Sequence, residues 1–331
     1  MDVQSINKLG GMALVEAQKD FYGCPPWIDK KIWNDYRLRY LKASEGKPDL
    51  VQIDLELTDT CNLRCIECPI SSTLDRKANR INIEKAKKIL KSYAKKGVVA
   101  LKLNYINEPL LNFNDLIEIA KFAKKIGIID VYFTSNGTLL TEERAKILID
   151  SELISRIQIS IDAINTNTYD QIRIGGNYDR VIKNIHFFMN YKKSKKTNFP
   201  FLRVNFLSLP ENKGQEHEFL KFWKPIVDAV AIQRSVLKPD SNREKGVDEY
   251  TLKERFCPNP FRQLVIRADL SVLPCCSFWG CEIKLGDYKN EDKQNLFNEK
   301  LMNSLRNSFT DPNKNLFPAC KSCLSSCDPT Y

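Results

Sequence analysis

The sequence predicts an α/β fold: a partial (β/α)6 TIM-like barrel with a small C-terminal cysteine-rich unit built from a β-hairpin and helices. Three observations predict it. From Leu50 to Arg234, short apolar runs rich in Val, Ile and Leu alternate with longer runs whose apolar residues recur at three- and four-residue spacing. From about Glu249 that alternation stops, and a strand-like run bounded by cysteines begins. The eleven cysteines also fall into two clumps, three between Cys61 and Cys68 and seven from Cys257 onward, with Cys24 alone. The expected division is therefore residues 1–49 as a helical extension, 50–236 as the barrel and 249–331 as the cysteine unit.

Composition narrows the function classes. The longest apolar stretches, such as Val98 to Leu103, are far too short to span a bilayer. The first residues lack the basic-then-apolar order of a secretion signal. A cytoplasmic protein without membrane contact is expected. An odd cysteine count in two clumps argues against a disulfide framework and for metal ligation or chemistry. The net charge of +10 is moderately basic, and its densest run, Lys192-Lys193-Ser194-Lys195-Lys196, reads as a solvated loop. Without interleaved aromatics or a nucleic-acid fold signature, no nucleic-acid partner is expected, while an anionic substrate stays open.

The elements follow in order. From Ile28 to Ala43, Ile32, Tyr36 and Tyr40 recur at helical spacing with Trp33 and Leu41 beside them. That predicts one amphipathic helix packed on the barrel. Strands are expected at Val51–Leu57, Val99–Asn104, Asp130–Thr134, Arg156–Ile161, Leu202–Leu207 and Val227–Arg234. Helices are expected at Ile83–Lys96, Leu116–Ile126, Glu142–Ser151, Val181–Tyr191 and Glu216–Trp223. Such alternation means parallel strands with helical crossovers, and functional groups belong at the C-terminal strand ends. After Cys257-Pro258-Asn259-Pro260, the run from Gln263 to Leu273 reads as a hairpin turning near Ala268-Asp269 and ending at Cys275-Cys276. A helix over Leu296–Phe309 then leads to Cys320, Cys323 and Cys327.

The first strand runs into Thr58-Asp59-Thr60-Cys61-Asn62-Leu63-Arg64-Cys65-Ile66-Glu67-Cys68-Pro69, a C-x3-C-x2-C spacing. Three thiolates on one loop can hold three corners of an iron–sulfur cube and leave the fourth iron open to a small molecule. Structural zinc is the alternative, but it wants four ligands and no fourth Cys or His lies nearby. Buried cysteines without a ligand role are a third reading. Later strand ends carry Glu108-Pro109, Ser135-Asn136-Gly137, Ser160-Ile161-Asp162 with Arg173 beyond it, and Gln233-Arg234. A hairpin flanked by cysteines with a returning C-x2-C can close around a second metal centre, iron–sulfur or zinc.

These motifs resemble the radical S-adenosylmethionine (SAM) superfamily, from about Leu50 to Val236. The resemblance implies a [4Fe–4S] cluster on Cys61, Cys65 and Cys68, completed by SAM. It implies SAM contacts from Glu108, Asn136, Ser160 and Asp162, with Arg173 pairing the methionine carboxylate in bidentate geometry. Two departures stand out. Glu67 occupies a position that is aromatic in the family, and Ile106-Asn107 replaces a glycine pair before Glu108. The C-terminal cysteines resemble the twitch domain, the shortened relative of the SPASM domain. That implies one auxiliary [4Fe–4S] cluster on Cys257, Cys275, Cys320 and Cys323, with two clusters the alternative. The roles of Cys24, Cys276, Cys281 and Cys327 stay open. The implied chemistry is reductive SAM cleavage by an electron donor such as flavodoxin or ferredoxin. The resulting 5′-deoxyadenosyl radical would abstract hydrogen from a small polar substrate, a sugar or aminocyclitol, held in part by Arg234. The auxiliary cluster would accept the second electron. Modification of a ribosomally made peptide and a non-catalytic metal scaffold are the other readings. A nucleotide cyclase is not expected, because its C-terminal double glycine is absent.

Overall fold

A computed structural model describes residues 13–17, 22–71, 78–234, 256–288 and 296–325. Strand β1 (Ala13–Ala17) precedes helix α1 (Lys30–Ser44). The barrel then runs β2 (Gln52–Leu55), α2 (Ile83–Ala94), β3 (Ala100–Lys102), α3 (Phe113–Lys125), β4 (Asp130–Ser135) and α4 (Glu142–Asp150). It continues with β5 (Arg156–Ser160), α5 (Thr166–Ile172), α6 (Tyr178–Ser194), β6 (Phe201–Ser208), α7 (Glu216–Trp223) and β7 (Ala229–Arg234). Beyond it lie α8 (Asn259–Arg262), β8 (Gln263–Ile266), β9 (Ser271–Leu273), β10 (Gly286–Asp287), α9 (Lys300–Thr310) and α10 (Pro318–Ser325). Among the described residues no helix is long and apolar enough to cross a membrane.

All ten strands form one sheet, ordered β1-β7-β6-β5-β4-β3-β2-β8-β9-β10. Strands β2 to β7 are parallel and sequential, the six expected units of a partial TIM-like barrel. Along β2, Ile53 and Leu55 pack outward into the core under the helices, while Gln52 and Asp54 occupy the alternate, inward positions. The same alternation puts Leu101, Phe133, Ile157 and Val204 outward.

Three expectations need correction. The extension before residue 50 is not wholly helical: β1 pairs antiparallel with β7 and covers that edge of the sheet. The hairpin of β8 and β9 forms as expected, but β8 pairs in parallel with β2 from Gln52↔Gln263 to Leu55↔Ile266. The cysteine unit therefore extends the barrel sheet. In both places an edge strand with unpaired backbone groups is satisfied by chain from outside the barrel. The Lys192–Lys196 run is solvated from Lys193 to Lys196, as expected, but only its last two residues lie in a turn. Its first residues end α6, where the helix dipole favours cations, and Lys192 is buried against Asp228 and Pro200 O.

Helix α1 packs on the barrel, although its buried stripe is Trp33, Tyr36 and Ala43, with Ile32 53% exposed. The Tyr36 hydroxyl donates to Asp130 Oδ2 at 2.8 Å, and Arg156 Nη2 donates to the same oxygen at 2.7 Å. Ser155 Oγ donates to the other oxygen at 2.5 Å. This buried network closes the N-terminal end of the strands. Asp130→Ala should lower stability by about 3–5 kcal/mol in denaturant unfolding, because it strips a buried guanidinium of its counter-charge. Asp150→Ala, which breaks the half-exposed pair with Lys195, should cost under about 1 kcal/mol in the same assay.

Candidate metal and cofactor site

The C-x3-C-x2-C segment follows β2 at the C-terminal face and has little regular structure of its own. Neighbouring strand ends hold it. Arg64 N donates to Ile174 O at 2.9 Å and Ile66 N to Ile172 O at 3.1 Å, fixing it to the end of α5. On the other side Glu108 N donates to Thr60 O at 3.0 Å. Within the loop, Cys68 N donates to Cys65 O, and Ser71 Oγ caps the same carbonyl at 2.8 Å. Gly175, at φ +87°, turns the chain directly beneath Asn62 O.

Cys65 and Cys68 both lie within electrostatic reach of Cys61. Burial pushes the Cys61 thiol up to about 11, and Glu108, Cys65 and Cys68 add to that rise. Two side chains donate to the thiols: Asn136 Nδ2 to Cys61 Sγ at 3.8 Å and Arg173 Nη1 to Cys65 Sγ at 3.6 Å. Such donors stabilise thiolates and cluster sulfur.

The expected SAM residues surround this loop, already engaged with protein. Glu108 is buried; it accepts from Leu110 N and Ser135 Oγ through one oxygen and from Asn136 N through the other. The structure makes it the organiser of the β3 and β4 loops. Asn136 Nδ2 also donates to Asn62 Oδ1, and Asn62 Nδ2 donates on to Thr138 Oγ1 at 2.9 Å. Ser160 ends β5, in register with Asn205 on β6. Asp162 sits at φ +62° with one oxygen on Leu207 N and the other paired to Arg173. The carboxylate facing Arg173 in this structure is thus Asp162. Burial disfavours the Arg173 charge, but Asp162 and Cys65 outweigh it, and the net shift is upward. Arg234 ends β7; its side chain lies outside the described residues.

The C-terminal thiols Cys257, Cys275, Cys320 and Cys323 gather as a second set. Burial pushes Cys257 and Cys320 up to about 12, and Cys323 is among the neighbours that add to both. Cys275 rises for the same reason, with Cys276, Cys257 and Cys320 contributing. A Cβ at Gly280 would stand 2.7 Å from Cys275 Sγ, so this glycine leaves room at the thiol. Cys276 is exposed and accepts from Asn259 Nδ2, while Cys281 contacts the Tyr105 hydroxyl at 3.1 Å. Cys24 donates to Ile28 O near α1, far along the chain from both sets. Cys327 lies outside the described residues.

Sequence reading missed Asn62, Thr138, Tyr105 and Ser277, whose support of the thiols depends largely on contacts between distant segments. Among the described residues no group of three or more His, Cys, Asp or Glu side chains converges on a single-ion site. The chemistry of both sets is that of soft-metal or cluster ligation: thiol donors throughout, half-buried, with N–H groups aimed at sulfur.

A parallel, partly open barrel with a three-cysteine loop after its first barrel strand defines a class. The model of the radical SAM superfamily matches residues 55–206, and an iron–sulfur cluster-binding SPASM domain matches 257–324. The chain belongs to the radical SAM superfamily and carries a C-terminal SPASM domain. It is 34% identical over 202 residues to a probable GTP 3′,8-cyclase of Methanococcus maripaludis, a match covering 61% of this chain and 64% of that protein. The chain thus spans less than two thirds of that relative's length. Among solved structures it resembles anSMEcpe with bound AdoMet and Cp18Cys peptide, with TM-score 0.58, 17% identity, and 84% and 88% of the two chains covered. It also overlays BtrN in complex with AdoMet and 2-DOIA, with TM-score 0.49 and 17% identity over 80% and 88% of the chains, too loosely to bear on chemistry.

The Glu108 environment generates a pH dependence. Burial raises its carboxyl to about 7, while in the unfolded chain it titrates near 4.3. Between those values the folded protein holds a proton that the unfolded chain has lost, so stability falls as pH rises across that window. Glu108→Gln should remove this component, up to about 1.4 kcal/mol per pH unit, in unfolding titrations of metal-free protein from pH 4.5 to 7.

Proposed function

We propose that Cys61, Cys65 and Cys68 hold a [4Fe–4S] cluster completed by SAM. In the same reading Cys257, Cys275, Cys320 and Cys323 hold one auxiliary [4Fe–4S] cluster, and the enzyme oxidises a small polar substrate, a sugar or aminocyclitol. With these groups bound, the site supplies one-electron cleavage of SAM, a 5′-deoxyadenosyl radical that takes a hydrogen atom, and an acceptor for the remaining electron. The first electron comes from a small redox protein such as flavodoxin or ferredoxin. The chain's own part is orientation. Asn136 and Arg173 steady the thiolates, and Ser160 stands at a strand end where SAM's ribose would lie. Asp162 keeps Arg173 oriented and ready to exchange partners with an incoming carboxylate.

The observation that carries the reading is the lining of the barrel. TIM-type barrels fill their interior with branched apolar side chains. Here the alternate positions to the outward core carry Asp54 and Glu56 on and after β2, Asn104 after β3, Gln158 and Ser160 on β5, and Asn205 on β6. Asp54 Oδ2 and Asn205 Oδ1 are buried without a hydrogen-bond partner among the described residues. Such acceptors favour a ligand rich in O–H or N–H groups.

The curated relatives favour a second reading, a purine nucleotide as substrate. Incubation with SAM, dithionite and a panel of aminocyclitols, sugars and GTP separates the two. Substrate-dependent release of 5′-deoxyadenosine with a product short of two hydrogens supports oxidation. Consumption of GTP supports the nucleotide, and turnover only of an added peptide overturns both. Anaerobically reconstituted protein should hold about eight irons, falling to about four in a Cys61/Cys65/Cys68→Ala variant, given four irons per cube. That variant should release no 5′-deoxyadenosine.

A further inference from the structure

Ser277 lies between two of the thiols of the second set. Its backbone N–H is placed to favour a thiolate at Cys275. Its Oγ stands 3.4 Å from Cys323 Sγ. One residue thus brings two polar donors to two sulfurs that come from opposite ends of the cysteine unit. Its carbonyl oxygen is engaged as well: it accepts from the Tyr105 hydroxyl at 3.0 Å. Tyr105 belongs to the barrel. It follows β3, three residues before Glu108, and is 7% exposed with its ring against Val265 and Leu273. The position of Ser277 is therefore set from the barrel side.

Hydrogen bonds to cluster sulfurs stabilise the more negative, reduced state and raise the reduction potential. We infer that Ser277 sets the potential of the auxiliary cluster through its contacts with Cys275 and Cys323, and that Tyr105 is the positioning residue that holds it there. The inference rests on the auxiliary-cluster reading and adds to it. An acceptor of the substrate's second electron needs a potential above that of the substrate radical, and Ser277 moves it in that direction. Tyr105 ties the setting to the loop that also carries Glu108.

The test uses the reconstituted full chain. Iron content is measured first, then both cluster potentials by redox titration followed with electron paramagnetic resonance. Ser277→Ala should keep about eight irons, given four per cube, and shift the auxiliary potential downward while the SAM-cluster potential stays put. Ser277→Thr, which keeps the hydroxyl, should restore the wild-type value. Tyr105→Phe should shift the auxiliary potential downward by less than Ser277→Ala. An unshifted auxiliary potential in Ser277→Ala at full iron content overturns the inference and leaves the auxiliary cluster standing. If Ser277→Ala loses the auxiliary iron, the other two variants decide. A downward shift in Tyr105→Phe with a wild-type value in Ser277→Thr supports the inference, and an unshifted Tyr105→Phe overturns it. Wild-type protein with only about four irons overturns both the inference and the auxiliary-cluster reading.

Discussion

A loop without regular structure must hold three thiols in fixed relation, and the rest of the fold is arranged around that constraint. The loop's own hydrogen bonds, such as Cys68 N to Cys65 O, make only a tight turn. Its placement comes from other strand ends. Ile172 and Ile174 grip it from one side and Glu108 N from the other, while the Asn136–Asn62–Thr138 chain ties it to the loop after β4. Each of those partners is itself anchored. Glu108 is fixed by three donors and Arg173 by Asp162. Parallel strands deliver these loops to one face, so the barrel serves as the frame that makes a short cysteine loop stiff.

The frame is itself incomplete. Six strands do not close a barrel, and an open sheet leaves two edges. Strand β1 covers β7 and strand β8 covers β2. At the N-terminal end the strands are sealed by Tyr36, Asp130 and Arg156, a buried ionic network of the kind that is costly to break and modest in net worth. The opposite end stays polar. Asp54 and Asn205 keep acceptor atoms buried and unmatched among the described residues, an arrangement that loses stability unless a ligand or water supplies the donors. Buried acceptors of this kind put part of the cost of folding where binding can relieve it.

Local signals made most of this legible. The six barrel strands, five of the crossover helices and the hairpin at Ala268-Asp269 all follow from periodicity and turn residues. The return of C-x2-C to a hairpin flanked by cysteines is also visible in the spacing, whereas the particular set Cys257, Cys275, Cys320 and Cys323 is what the resemblance to the twitch domain implies. What was hidden depends on partners far away in sequence. Strand β1 lies beyond 200 residues from its partner β7, and nothing local marks it as a strand of this sheet. Lys192 reads as one lysine of a charged run until Asp228 is seen beside it. Ile32 fits the helical period, yet the stripe that meets the barrel is the one led by Trp33 and Tyr36, because Asp130 offers a hydrogen bond there. Helix α5 is only two turns long, with an N-cap at Asn165 and just Tyr169 and Ile172 as buried apolar residues, too few for periodicity to show. At the site, residue types were readable but their pairings were not. Asp162 and Arg173 both stood out, and only the fold shows that they face each other.

The pairing of β2 with β8 has a consequence for the two thiol sets. Strand β2 leads directly into Cys61, Cys65 and Cys68. Strand β8 lies between Cys257 and Cys275, which belong to the other set. Four consecutive register pairs join the two strands, and the Tyr105 contacts to Ser277 and Cys281 add a side-chain link from the next barrel strand. Moving one set relative to the other would break main-chain ladder bonds inside a buried sheet, where an unpaired N–H or C=O costs the full desolvation penalty. Two domains joined by a linker would face no such penalty. The sets are therefore held at a constant separation by the backbone of a single sheet. An electron passing between centres at the two sets would meet a fixed barrier, whichever substrate lies above them.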